Sequence, residues 1–288
     1  MNISDDILFV ASVMKPKASP FGLIRIGGKS DGAYLVPDDL QGIACCFSPG
    51  VSDRKSFEDE LTCKYGMTCH LCDASTSPER FQTAMIEPGQ TFRKVWLHHK
   101  PGAADSVTLE EWVEDLSEGT ASDLLLQMDI EGAEYQCLNV TPDAILSRFR
   151  ILVIEFHNLT QLASQSANER RLDIVSTFRR LDKFFDCVHA HPNNYDHHKL
   201  RVEIPGGSGS LPDTIELTFL RRDRLGQAER SPHPKIFLPH PLDITNAGHR
   251  KPVHLDSSWL SGSRPLQSRL KIIYDHIRWH LRRTREWD

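Results

Sequence analysis

The sequence predicts an α/β fold: a mostly parallel sheet, covered on both faces, that closes on an antiparallel pair. Three observations carry this. Short apolar runs alternate with helical periodicities from about residue 43 to 222, and strands separated by helices run parallel because only a crossover can return the chain to the same edge. The runs are continuous rather than alternating, which marks strands buried on both faces. The last two runs have no helical stripe between them, so they pair antiparallel.

Residues 1–42 form an entry segment of helix and hairpin, and 43–222 the main domain. Ile43–Phe47 is a buried strand closed by Ser48-Pro49-Gly50. A helix follows, with Ser56 as its expected cap, Phe57, Leu61 and Tyr65 on one face, and Gly66 as its stop. Met67–Cys72 is the second strand, and Val95-Trp96-Leu97 is the expected third. Thr108 and Glu111 have capping-box spacing, and Leu109, Trp112, Val113 and Leu116 then share one helix face. Leu124–Met128 and Ile151–Ile154 are buried strands. Leu172, Val175, Phe178, Leu181 and Phe185 form a helical stripe. The segments 187–190 and 214–220 are the closing strands, joined by a loop holding Gly206 to Gly209. Residues 223–288 are a C-terminal extension, read as an extended arm. It ends in a helix with Leu270, Ile273, Tyr274, Ile277 and Leu281 on one face and Arg278, Arg282, Arg283 and Arg285 around it.

Composition narrows the function. The chain has 288 residues, 34 Lys plus Arg against 39 Asp plus Glu, and a net charge of −5. A nucleic-acid binder needs a concentrated basic footprint, which such a balance does not provide. The apolar run Ile7 to Val13 is too short for a secretory core and follows Asp5 and Asp6, and no run reaches transmembrane length. A cytoplasmic location with reduced thiols is therefore expected. The 7 cysteines mostly fall inside apolar runs, as core filler does. Cys69 and Cys72 sit three apart in a strand and point to opposite faces, a poor chelate. His197 and His198 are expected on a surface loop.

Ligands of open α/β sheets bind at the carboxyl ends of the strands. Here those ends hold Ser48 to Asp53, Asp73, Asp129 to Glu134 and Glu155 to Asn158. Gly50 suits a sharp turn and a close approach to ligand. Asp73, 23 residues beyond Gly50, has the spacing of a ribose acceptor. One glycine is too few for a pyrophosphate cradle. That disfavours a nicotinamide-dependent oxidoreductase and favours a cofactor such as S-adenosylmethionine. Asp129, Glu131 and Glu134 are three carboxylates within six residues after a buried strand, a costly arrangement unless they are solvated, paired or used. Arg25, Asp31 and Tyr34 are candidates for a lid over cofactor or acceptor.

Asp129-Ile-Glu-Gly-Ala-Glu134, followed by Ile154-Glu-Phe-His157, resembles the FkbM family of S-adenosylmethionine-dependent methyltransferases. Arg25 to Tyr34, Phe47 to Asp53, Thr108 to Trp112, His189 to Asn194 and Glu216 to Thr218 agree in order and spacing, over roughly residues 23 to 222. The resemblance implies a Rossmann-like seven-stranded methyltransferase sheet. It implies transfer of a methyl group to a hydroxyl of a saccharide or glycosylated metabolite. By carry-over, Ser48, Gly50 and Asp53 line the methionine end of the cofactor, Asp73 holds the ribose, and Asp129 sits beside the sulfonium or the acceptor. The family's glycine-rich first motif is reduced to Gly50 here.

A hydroxyl acceptor needs a base, and the candidates are Asp129, His157 and Glu155. Arg25, Asp31, Tyr34, Glu131, His191 and Asn193 are expected on the acceptor side. Asp129, Glu155 and His157, with His189 or His191 helping, are also an alternative site for a divalent metal, which is not favoured. The non-enzymatic rival is a degenerate methyltransferase fold acting as a binding or scaffold subunit. Expected partners are a small-molecule or glycan acceptor and no nucleic acid, with a homo-oligomer as one assembly. The basic C-terminal helix either touches an anionic membrane or, the preferred expectation, docks its apolar face on its own domain or a partner subunit.

Overall fold

The computed structural model describes residues 3–29, 31–117, 122–164, 168–195, 199–204, 207–225, 236–260 and 263–285. Helix α1 (Ile3–Met14) leads into a hairpin of β1 (Leu23–Ile26) and β2 (Tyr34–Pro37). The main domain follows as β3 (Ile43–Pro49), α2 (Ser56–Tyr65), β4 (Thr68–Cys72), β5 (Gln90–Arg93), the two-residue strands β6 (Trp96–Leu97) and β7 (Ser106–Val107), α3 (Leu109–Leu116), β8 (Asp123–Met128), α4 (Glu134–Val140), α5 (Asp143–Leu146), β9 (Phe149–Phe156), α6 (Asn168–Phe184), β10 (Phe185–Pro192), β11 (Lys199–Ile204), β12 (Gly207–Pro212), β13 (Ile215–Arg221) and α7 (Arg222–Leu225). Helix α8 (Leu266–Arg285) ends the described chain.

The central sheet has seven strands in the order β10-β13-β9-β8-β3-β4-β5. β13 is antiparallel to both its neighbours, β9 and β10, and the pairs from β9 to β5 are parallel. The expected α/β sheet with its antiparallel closing pair is therefore present.

Successive strand residues serve opposite layers. Leu124, Leu126 and Met128 pack with α1, α3, α4 and α6, through residues such as Val10, Trp112, Tyr135 and Phe178. Leu125 faces the other way, onto Phe57 and Leu61 of α2 and Ile26, Tyr34 and Val36 of the hairpin. Both faces of the sheet are thus covered, which is why its strands read as unbroken apolar runs. Six of the seven cysteines are buried and Cys63 is exposed.

Several local expectations are corrected. Lys55, not Ser56, is the N-cap of α2; it makes no side-chain cap bond, and its buried ammonium is held by Asp59, the Ala84 carbonyl and Gln90. The third parallel strand is β5, not 95–97. β5 is an edge strand of mixed polarity, whereas Trp96 and Leu97 pair only with Ser106 and Val107. Leu172 is exposed on α6 and Ile174 takes its place in the core, while Phe185 begins β10. Gly207 to Gly209 belong to the β11–β12 hairpin. The capping box of α3 is formed as expected. His197, His198 and Gly206 lie outside the described residues.

The amino end of the parallel strands is clamped by ions. Buried Arg150 donates to Asp123 and to the carbonyls of Asp39 and Gln41, while Arg221 pairs with Asp123 and Arg224 with Asp39. Removing one partner of a buried ion pair strands the rest. Arg150→Ala is expected to cost about 3 kcal/mol, the low end of that range because Arg221 and Arg224 still neutralise the two acids. Urea unfolding of the variant measures it.

Candidate active site

The site lies where β3, β4, β8 and β9 end. The turn after β3 is knitted to both neighbouring strands: Gly50 N–H donates to the Cys72 carbonyl at 2.9 Å, and Asp129 N–H donates to the Pro49 carbonyl at 3.3 Å. Gly50 has φ +85, and a Cβ there would lie 1.7 Å from the Asp129 carbonyl oxygen. The close approach inferred from the sequence is thus real, but its partner is the backbone of the next strand. Gly132 (φ +103), Glu131 (φ 56) and Asn158 (φ 60) bend the two following loops through left-handed backbone.

A cleft of about 250 Å³ opens beside this turn, lined by Asp31, Tyr34, Asp53, Arg54 and Asp129 with the backbone of 50–52. Two of the expected cofactor residues lie elsewhere. Ser48 is fully buried beneath the cleft, contacting Glu58 and, at 2.6 Å, Gln127. A hydroxyl carries one proton, so it donates to only one of these two oxygens. Burial raises Glu58 to about 7, which lets its protonated carboxyl donate to Ser48. Gln127 in turn donates to the Tyr34 hydroxyl at 3.3 Å. Asp73 is buried as well. Its oxygens accept from Ser52 N–H at 2.8 Å and from the N–H and hydroxyl of Ser75 at 2.7 and 2.6 Å. That leaves about one of its roughly four acceptor positions for a ribose.

His157 is the centre of charge. Its Nδ1 lies 3.1 Å from Glu134, and its Nε2 lies 3.5 Å from Glu131, 3.7 Å from Glu155 and 3.8 Å from Asp129. Burial opposes its charge, but Glu134, Asp129 and Glu131 outweigh that and raise its pKa above the usual value. Glu134, fully buried, accepts the N–H groups of Ile130 and Gly132 with the same oxygen and so fixes the turn. Burial lifts Asp129 to about 7 against the pull of His157, with Glu131, Glu134 and Asp31 adding to the rise. Its Oδ1 has no hydrogen-bond partner, and 28% of the side chain is exposed.

Glu155 belongs to β9 rather than to the loop beyond it, and it stands directly opposite Glu216 of β13. Like charges in that register repel. Burial, and after it the neighbouring carboxylates, raise Glu155 well above its usual range; burial also raises Glu216. Asn193 donates to Glu155 at 2.6 Å, and Asn246 donates to Glu216 and, at 3.1 Å, to Asp31. Arg25, whose Nε donates to the Gly28 carbonyl, lies in the field of Glu216 and Asp243.

The C-terminal arm, in which the sequence offered no candidate site residue, supplies two of these groups. Asn246 bridges the acids, and buried Asp243 lies 3.0 Å from His189 and 3.7 Å from His191. Burial works against the Asp243 charge, yet the two histidines hold its carboxyl well below the usual range. His189 and His191 therefore meet Asp243, and only His157 meets Asp129 and Glu155. Among the described residues, the side chains able to share a metal ion are Asp129, Glu134 and His157 rather than the expected trio with Glu155. Glu134 is committed to the turn through Oε1, while its buried Oε2 has no hydrogen-bond partner. Sequence reasoning missed Asp243, Asn246, Glu134 as an anchor and Gln127; the arm residues carry no local signal.

The cleft lies at the carboxyl end of a mostly parallel, doubly covered sheet, the position at which open α/β sheets bind their ligands. The FkbM methyltransferase domain matches residues 48–196, just over half of the chain. The chain belongs to the FkbM methyltransferase family. No curated protein matches it. Among solved structures it is similar to one of a fibrillarin/Nop5p complex, at 12% identity over 63% of this chain and 74% of that one, with a TM-score of 0.36. It is also similar to a variant of the 16S rRNA (adenine(1408)-N(1))-methyltransferase from Catenulisporales acidiphilia, at 11% identity over 69% and 98% of the two chains, with a TM-score of 0.26.

Two outcomes follow. Gly50→Ala must force β3 and β8 apart and is expected to cost about 3 kcal/mol in urea unfolding. The raised pKa of His157 contributes stability that is present below its unfolded value and is lost as pH rises through the folded one. Asp129, raised to about 7, likewise favours the folded state only while protonated. Thermal stability should therefore fall between pH 5 and pH 8. Asp129→Asn should unfold at a higher temperature than the parent at pH 8, with the difference shrinking as pH falls through the window from about 7 to 3.8 and vanishing near pH 3. A variant less stable at both pH values would contradict this assignment.

Proposed function

We propose that the chain is an S-adenosylmethionine-dependent O-methyltransferase acting on a hydroxyl of a saccharide or glycosylated small molecule. The observation that carries this reading is Asp129 itself, which lines the cleft beside the Gly50 turn with 28% of its side chain exposed. Asp31 and Asp129 give the cleft negative walls, which suit a cationic cofactor. Its volume, about 250 Å³, is below the several hundred Å³ of a complete ligand pocket, so it fits the methionine end rather than the whole cofactor. When bound, S-adenosylmethionine supplies a methyl group already activated on a sulfonium.

The protein's own work is then alignment and proton removal. Asp129 is the best placed base. It is partly exposed, lines the cleft, and is raised by burial to about 7, where a base is most effective. His157 is poorly suited to that role because the surrounding carboxylates favour its protonated form; it positions Asp129 as a fixed counter-charge. Glu155 is held by Asn193 and buried, so it shapes the site rather than opening to solvent. Asp31, which lines the cleft and accepts from Asn246, is placed to accept from an acceptor hydroxyl.

Calorimetry with S-adenosylmethionine and S-adenosylhomocysteine tests the cofactor, and absence of heat with both would end the proposal. Asp129→Ala is expected to lower methyl transfer by about 100-fold or more and to remove the rate limb near pH 7. An unchanged rate would favour a binding subunit instead.

A further inference from the structure

Helix α8 is built inside out. Its polar residues face the protein: Ser268 and Asp275 are buried, Lys271 and His254 contact Asp275, and Trp279 Nε1 donates to the His249 carbonyl. Its apolar residues face outward. Leu266, Leu270, Ile273, Tyr274, Ile277 and Leu281 are each between 54% and 64% exposed. The expectation that this face docks on its own domain is therefore not met. At 3.6 residues per turn, these six positions fall within an arc of about 100°. Such a continuous apolar stripe marks an interaction surface rather than scattered exposure.

The charge around the stripe selects its partner. By helical phase Arg269 and Arg278 lie on opposite edges of the stripe, and both are exposed. The helix sequence carries Arg269, Lys271, Arg278, Arg282, Arg283 and Arg285, and its one acid, Asp275, is paired with Lys271. The chain as a whole is acidic, at −5, so this positive charge is concentrated on the helix. A second copy would bring one arginine rim towards another. An anionic lipid surface is complementary to both features, taking the apolar stripe between acyl chains and the arginines at the headgroups. No helix among the described residues is long and apolar enough to cross a membrane. The geometry of α8 lets it lie in the interface plane.

We infer that α8 is a peripheral membrane-docking helix that binds anionic lipid through Leu266, Leu270, Ile273, Tyr274 and Ile277, with Arg269 and Arg278 at its edges. This holds whatever the cleft methylates, and it would bring the site to acceptors displayed at or near a membrane.

The test is flotation of the full chain with vesicles of phosphatidylcholine alone or with one-third phosphatidylglycerol, alongside light scattering without lipid. The chain should float with the anionic vesicles, weakly with the neutral ones, and less as salt increases. Combined Leu270→Ser, Ile273→Ser and Ile277→Ser should reduce binding by about tenfold or more. Combined Arg269→Glu and Arg278→Glu, which leaves the stripe intact, should do the same on anionic vesicles only. Because all five positions are exposed, both variants should unfold at the temperature of the parent. Three results would overturn the inference: no flotation, equal flotation with both vesicle types, or a dimer in light scattering that the serine variant dissolves. The last would assign the stripe to a second copy.

Discussion

The carboxyl end of the sheet depends on one backbone contact, the seating of Gly50 against the carbonyl of Asp129. No side chain fits between them. The turn is drawn in from both sides, by the Cys72 carbonyl and by the Asp129 N–H. Three strand ends are thereby locked at fixed separation. Asp129 is aimed at the cleft because its own peptide is held by the turn opposite, and Asp73 secures the same turn through Ser52. Residues that look like independent ligand contacts in the sequence are in large part this scaffold.

Electrostatics supplies the second constraint. Asp129, Glu131, Glu134 and Glu155 converge on one imidazole, and Glu216 adds a fifth carboxylate across the β9–β13 ladder. Burial, and after it the crowding of like charges, raises Asp129, Glu155 and Glu216 above the usual carboxylate range. Amide donors from Asn193 and Asn246 meet part of the remaining demand without adding charge.

The fold was legible in the sequence because burial on both faces leaves a plain mark: Leu124 to Met128 and Phe149 to Phe156 are apolar without interruption apart from Gln127, Arg150 and Glu155. β5 was not legible, since an edge strand such as Gln90 to Arg93 needs apolar character on fewer positions. In the site, Asp129, Glu155 and His157 followed from their place after apolar runs, and the structure brings them together. Ser48 and Asp73 stand at the ends of β3 and β4 but do not line the cleft, because their side chains are buried in bonds within the protein, a matter of side-chain direction that spacing does not encode. Asp243 and Asn246 arrive from more than 100 residues beyond Asp129 through an arm with no periodicity, so no local pattern announces them. His189 and His191, expected to help Asp129, Glu155 and His157 at one site, instead meet Asp243.

The ion clamp of Arg150, Asp39, Asp123, Arg221 and Arg224 sits at the opposite end of the same strands. A strand of six or seven residues separates the two ends by about 20 Å, beyond the range over which substitutions usually couple. Robustness and chemistry therefore occupy separate poles of one sheet. The clamp can be reinforced or relaxed to tune how long the fold survives heating, without reshaping the cleft, and the cleft can be re-cut for new acceptors while the clamp absorbs the loss.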